Sequence, residues 1–175
     1  MKATVKIAAV VLSSCLLFSS CSKQPTEASA GYAIAGNDYV DYTFEYPEKW
    51  VIDRNDGMIA VKPENESISI SCTTFSPDDP TVLAQEYWDG YFESFKETFG
   101  DKVVILKEEE TKLGGAAAKY VTYTADIVGE TYQFTQVCAI MNATAYTLTY
   151  TATPETHDEN LGALTHAVTS FKLKD

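Results

Sequence analysis

The first places to look for chemistry in this chain are its four cysteines and two histidines. Cys72 and Cys138 lie in stretches of alternating apolar character, Cys72 in step with Ile68 and Ile70, Cys138 in step with Phe134 and Ile140. A thiol so placed behaves as a small buried apolar group, whereas a nucleophilic thiol needs an exposed site with a basic neighbour. In an exported chain the two could instead form a disulfide; spacing leaves that open, with separate buried thiols favoured. His157 and His166 belong to no His-Glu-x-x-His motif and no Cys/His cluster, so both are expected at the surface and neither as a metal ligand. Asp53-Arg54-Asn55-Asp56-Gly57 with Glu64 in the twelfth position resembles a calcium loop, but its glycine falls one place early and its fifth-position ligand is missing. A hairpin turn at Asp56-Gly57 is the expectation instead. Glu108, Glu109 and Glu110 read as a solvated charged stretch. With no Gly-x-Ser-x-Gly motif either, no catalytic residue, metal ligand or cofactor is expected.

Cys15 and Cys21 sit in another setting. Met1–Ser20 carries Lys2 and Lys6, then apolar Ile7–Phe18, then Ser19 and Ser20, the three-part layout of a secretory signal. The apolar run has 12 residues and contains Ser13 and Ser14, short of the ~20 that a membrane-spanning helix needs. A cysteine directly after two small residues suits cleavage between Ser20 and Cys21, followed by thioether attachment of a diacylglycerol to Cys21. Leu12-Ser13-Ser14 before Cys15 is the better local match to a lipid-attachment box. Cleavage there, however, leaves only Ile7–Leu12 as the apolar run, below the ~7–15 residues expected. Cys21 is therefore the expected lipidation site. The organisation expected is a lipoprotein signal peptide over 1–20, a lipidated cysteine and flexible tether over 21–38, and one domain over 39–175. The mature chain is expected on the extracytoplasmic face of a cell membrane, held by its lipid.

The elements that must position any site follow from periodicity. Val40, Tyr42, Phe44 and Tyr46 alternate with polar residues up to Pro47, the period of a half-buried strand. Trp50–Ile52, Met58–Lys62 and Ser67–Phe75 continue in extended form. Asp79-Pro80 gives a capping carboxylate and a first-turn proline for a helix. Leu83, Tyr87, Trp88, Tyr91, Phe92, Phe95 and Phe99 then recur at three- and four-residue spacing as far as Gly100. Strands are expected over Lys102–Thr111, Ala117–Ile127, Thr131–Met141 and Thr144–Thr153, with turns at Gly114-Gly115, Gly129-Glu130 and Asn142-Ala143. A last helix opens at Pro154 or Thr156, where Thr156 and Glu159 have capping-box spacing. The expected fold is α+β, a central antiparallel β-sheet flanked by two main helices. The aromatic residues read first as core and second as the lining of a carbohydrate or peptide groove.

The formal charge of the 175 residues is −12, and without Lys2 and Lys6 the remainder carries −14. Such a field repels nucleic acid and anionic headgroups, which leaves cations, basic proteins and neutral ligands as partners.

Phe44-Glu45-Tyr46-Pro47-Glu48-Lys49-Trp50 resembles the F-x-Y-P-x-x-W opening of PsbP-like domains. Ala145–Ala152, with Tyr146, Leu148 and Tyr150 alternating with threonines, is similar to the penultimate element of the bacterial lipoproteins of that group, and Ser170-Phe171 to their closing helix. The resemblance spans roughly Tyr39 to Leu173, nearly the whole domain. It implies an antiparallel sheet with helices, and the work of that group: photosystem assembly, nucleotide release from a nuclear GTPase, or a place in the bacterial envelope. It carries over no catalytic residue. The expected function is a membrane-anchored, non-catalytic binding or assembly module for an envelope protein or complex. The alternatives are substrate capture or cation binding for a transporter and, third, an unrecognised hydrolase.

Overall fold

Apolar residues recurring at every second position turn about half of the described residues into strand. The computed structural model describes residues 27–55, 58–64 and 66–174. Three short strands, β1 (Tyr32–Ala35), β2 (Tyr42–Pro47) and a C-terminal β10 (Lys172–Leu173), form one antiparallel sheet with β2 in the middle. The other strands are β3 (Val51–Asn55), β4 (Met58–Lys62), β5 (Ser69–Phe75), β6 (Val103–Leu113), β7 (Ala116–Ile127), β8 (Glu130–Met141) and β9 (Thr144–Ala152). They make a seven-stranded antiparallel sheet in the order β3-β4-β5-β9-β8-β7-β6. Helix α1 (Ala84–Phe99) connects β5 to β6, and α2 (Leu161–Ser170) follows β9. The α+β architecture expected from the pattern is present, as antiparallel sheets plus two helices. The small sheet is an addition, and it shares with α2 the covering of one face.

Register explains how both faces of the large sheet become buried. Cys72, Leu148 and Val137 lie opposite one another across β5, β9 and β8, so all three point the same way. They join Tyr42, Phe44, Ile59, Leu164 and Phe171 in the larger core, beneath α2 and the small sheet. The alternate residues Val121, Tyr123 and Cys138 point the other way and meet Trp88 and Phe92 of α1 in a second core. Central β8 is therefore buried on both sides from Thr135 to Ala139.

Several local expectations are corrected. The tether read over 21–38 contains β1, whose Tyr32–Ala35 pairs with Phe44–Pro47. Asp79 does not cap α1; it closes a turn on Thr81, and α1 begins later, behind Leu83, whose N–H donates to Glu86. Thr156 makes no side-chain cap; its hydroxyl pairs with that of Thr153 ahead of a 3-10 turn at His157–Asn160. Nor are the histidines plain surface residues. His157 is buried, its Nε2 sits 2.9 Å from the Thr135 hydroxyl, and Thr135 in turn meets Thr122 at 2.9 Å. Asn55 lies opposite Met58, while the expected turn residues Asp56 and Gly57 lie outside the described residues.

Two-residue loops close three successive hairpins, with Leu113 opposite Ala116, Ile127 opposite Glu130, and Met141 opposite Thr144. Both loop residues have positive φ in each: Gly114 and Gly115, Val128 and Gly129, Asn142 and Ala143. That matches the right-handed twist of the flanking strands, and glycine or asparagine adopts it with least strain. Val128 is the misfit, a β-branched, fully exposed residue at φ 54°.

The start of the described chain is fastened by a polar clasp. Glu45 on β2 accepts hydrogen bonds from the Ser29 N–H (3.3 Å) and meets His166 Nε2 on α2 at 2.8 Å, and the His166 ring stacks on Tyr32 with centroids 3.5 Å apart. Burial disfavours the Glu45 carboxylate, but the His166 and Ser29 hydrogen bonds outweigh it and hold the carboxyl below its ordinary range. Lys174, beyond β10, donates to the Asn37 and Val40 carbonyls and ties that strand to the loop between β1 and β2.

Val128→Asn relieves a left-handed β-branched residue at no cost in burial. It is expected to stabilise the fold by about 1 kcal/mol, read by urea unfolding. A depressed folded-state pKa contributes stability above the unfolded value and loses it as pH falls through the folded one. Glu45→Gln is therefore expected to lower stability at neutral pH and to flatten its decline below the ordinary glutamate value of 4.5, read by unfolding across pH 2–7.

Candidate functional site

Helix α1 packs mainly over β7 and β8 and reaches β9 at Ala145, and the rest of that face of β5 and β9 lies beyond it. That face carries small hydroxyl residues, Ser69, Ser71 and Thr73 on β5 and Thr147, Thr149 and Thr151 on β9, paired in register. Between it and α1 opens a cleft of about 750 Å³. Its floor is Thr73, Gln136, Ala145 and Thr147; α1 supplies Tyr87, Trp88 and Tyr91 as one wall, and Pro77–Asp79 with Val82 closes an end. The volume lies within the ~300–1,000 Å³ of small-ligand sites.

The apolar stripe of α1 splits over this cleft. Trp88 and Phe92 point into the core, their rings 5.5 Å apart. Tyr91 stays 41% exposed and Phe75 58% exposed, the latter 6.3 Å from the Tyr87 ring. Aromatic surface thus remains at the mouth, and the charged residues beside it are Asp78, Asp79 and Glu86. The Thr81 hydroxyl and N–H donate to Asp79 at 2.7 and 2.8 Å and hold its carboxyl below the ordinary range. Burial pushes the Tyr87 phenol up, keeping it a neutral donor.

Two residues that line the cleft each carry a buried polar atom without a partner. The Trp88 indole Nε1 is buried and unpaired on a residue 2% exposed. Gln136, 6% exposed, donates its amide nitrogen to Thr149 at 3.1 Å and leaves Oε1 buried and unpaired. Each such omission costs about 1–3 kcal/mol.

The residues singled out in the sequence lie elsewhere. Ser20 and Cys21 lie outside the described residues. Cys72 and Cys138 are free, buried thiols on opposite faces of the sheet, so a disulfide would have to pass through it. Burial pushes both thiols up, away from the thiolate that a nucleophile needs. Glu108–Glu110 lie exposed along edge strand β6, Glu108 paired with Lys119 at 3.0 Å, and such charges guard a sheet edge. Sequence reasoning missed Gln136. Its only signal was an amide in the middle of an apolar strand.

No family model and no curated protein matches this sequence. Solved structures do. Cyanobacterial PsbP (CyanoP) from Synechocystis sp. PCC 6803 superposes with TM-score 0.62 at 12% identity, over 87% of this chain and 98% of that one. The Ran-binding protein Mog1p of Saccharomyces cerevisiae matches with TM-score 0.59 at 12% identity, over 84% and 97%. LpqN, involved in cell envelope biogenesis of Mycobacterium tuberculosis, matches with TM-score 0.55 at 12% identity, over 77% and 83%. The domain has the PsbP-like fold, as the resemblance of Phe44–Trp50 implied. At these identities the likeness defines the fold and leaves function to the site.

The unpaired indole gives a direct test of the cleft. Trp88→Phe removes a buried donor that has no partner but keeps the ring on Phe92, so its stability is expected within about 1 kcal/mol of the parent. Trp88→Ala is expected to lose about 3–5 kcal/mol, both read by urea denaturation.

Proposed function

We propose that this protein is a membrane-anchored extracytoplasmic lipoprotein whose single domain acts as a non-catalytic binding or assembly module for an envelope protein or complex. Signal cleavage after Ser20 and lipidation of Cys21 would tether the PsbP-like domain, which includes β1 as well as the expected 39–175. The observation that carries the binding role is the cleft beside α1, with exposed aromatic residues and an acidic mouth. Among the described residues the histidines and cysteines are committed to packing, the clasp or the buried threonine chain, which favours binding over turnover. Two proteins of this fold are described as Ran-binding and as involved in cell envelope biogenesis, and both descriptions fit work done through contact. The cleft's volume also supports the alternative of small-ligand capture for a transporter.

Cys21→Ala is expected to release the protein from membranes and abolish fatty-acid labelling, while Cys15→Ala leaves both intact. The reverse result would move the anchor to Cys15. A photo-crosslinking residue in place of exposed Phe75 is expected to retain one specific envelope protein, identified by mass spectrometry. A ligand-dependent rise in Tm without any crosslinked protein selects capture instead. Turnover of a generic ester, phosphate or glycoside would overturn the non-catalytic reading.

A further inference from the structure

β1 belongs to the domain by its pairing and to the tether by its composition. The strand buries little. Ala35 is fully buried and Ala33 partly so, each through a single methyl group, while Ile34 stays 36% exposed. It is an edge strand, paired only with β2. β2 has its own hold, because Tyr42, Phe44 and Tyr46 sit in the larger core and β10 pairs along its other edge. Glycines flank β1: Gly31 has φ 83°, and a Cβ on Gly36 would stand 2.9 Å from the Thr43 Cγ2. Directly after Gly36 the chain is fixed again. The Asn37 Oδ1 accepts the Tyr39 and Val40 N–H groups, and Lys174 donates to the Asn37 and Val40 carbonyls. At the other end, beyond the main-chain bonds, the side chains that hold the segment are Glu45, which accepts the Ser29 N–H, and His166, on which Tyr32 stacks.

We infer that β1 is a releasable length of the membrane tether, docked on β2 and latched by the Glu45–His166 pair. The inference rests on the anchoring reading and concerns how far the anchored domain can reach. A short edge strand that buries two methyl groups belongs to the low-stability end of a fold, where opening is local. The latch itself stays with the domain. Glu45 and His166 lie 2.8 Å apart on β2 and α2, and the Ser170 hydroxyl joins strand to helix behind them, accepting the Glu45 N–H and donating to the His166 carbonyl. They form a seat that is assembled before β1 arrives, an acceptor for Ser29 and a flat ring for Tyr32. The glycine at 36 and the fixed turn behind it set where release stops. Freeing residues 29–36 lengthens the reach by about 25 Å at ~3.3 Å per residue. Docked, β1 keeps the domain close to the bilayer; released, it lets the cleft meet a partner further out. The formal charge of −12 acts toward release, since anionic headgroups repel the domain.

The test is hydrogen exchange, read by mass spectrometry on the full lipidated chain in nonionic detergent. Peptides covering 29–36 are expected to open at least about a hundredfold more often than those of β8, which open with the whole fold. His166→Ala removes half of the seat and Gly36→Ala crowds Thr43. Each is expected to raise the opening of 29–36 about tenfold further, while the β8 peptides change far less. Reach is read on vesicles from a fluorophore at Val128→Cys, a fully exposed position in a domain whose Cys72 and Cys138 are buried. Energy transfer to acceptors in the headgroups is expected to fall in both variants. Protection of 29–36 equal to that of β8, or equal acceleration of both by His166→Ala, overturns the release. Faster opening with unchanged energy transfer overturns the role in the tether. If Cys21→Ala stays on membranes, the anchoring reading fails instead, and the exchange of 29–36 still decides whether β1 opens.

Discussion

β8 and β9 pair without interruption from Gln133 opposite Ala152 to Met141 opposite Thr144, closed by the positive-φ residues Asn142 and Ala143. Because side chains alternate along a strand, this register assigns each residue of the central sheet to a face. Val137 and Leu148 go to the core under α2 and the small sheet, Cys138 and Ala145 to the core under α1. A slip of β8 by one position against β9 would send Gln136 into the larger core and leave Val137 under the cleft. The penalty for such an exchange of polar and apolar groups is what holds the hairpin in place, and β5 and β7 take their own faces from it. The free thiols Cys72 and Cys138 are a by-product: parity sends them to opposite sides.

The two faces are not covered equally. One receives α2 and the β1-β2-β10 sheet, knitted together by Glu45, His166 and Lys174. The other receives a single sixteen-residue helix over a sheet of seven strands. A helix is about 10 Å across and strands are spaced about 4.8 Å apart, so α1 can roof only two or three of them. The polar face of β5 and β9 is the direct consequence: with nothing above it, serine and threonine are tolerated where the covered half carries Val121 and Tyr123. The cleft lies at the boundary of those two regimes.

Much of this was legible in the sequence because it depends on local period. The strands of the large sheet, the long α1 stripe and the two-residue hairpins all announce themselves through alternation or turn residues. The resemblance of Phe44–Trp50 and Ala145–Ala152 to PsbP-like domains pointed to the fold that the structure adopts. What escaped depends on distant partners. β1 has four residues and exists only because β2 lies beside it. His157 looked like a surface residue because its partner Thr135, itself bonded to Thr122, comes from a strand earlier in the chain. Asp79 carried a good capping signal that its own neighbour Thr81 took up. The site was the least legible part. Tyr87, Trp88 and Tyr91 share one helical stripe, and periodicity alone cannot say which of them the sheet covers.

On the proposed anchoring, the two faces also acquire different directions. The described chain begins beside β1, and Ala33 and Ala35 of that strand pack into the core beneath the small sheet. Trp88 and the cleft belong to the opposite face of the large sheet. A lipid reached through the segment before β1 would therefore draw the small-sheet side toward the membrane and leave the α1 side open to the compartment. The charge works in the same sense. A chain carrying a formal charge of −12 is repelled by anionic headgroups within a Debye length of ~8 Å.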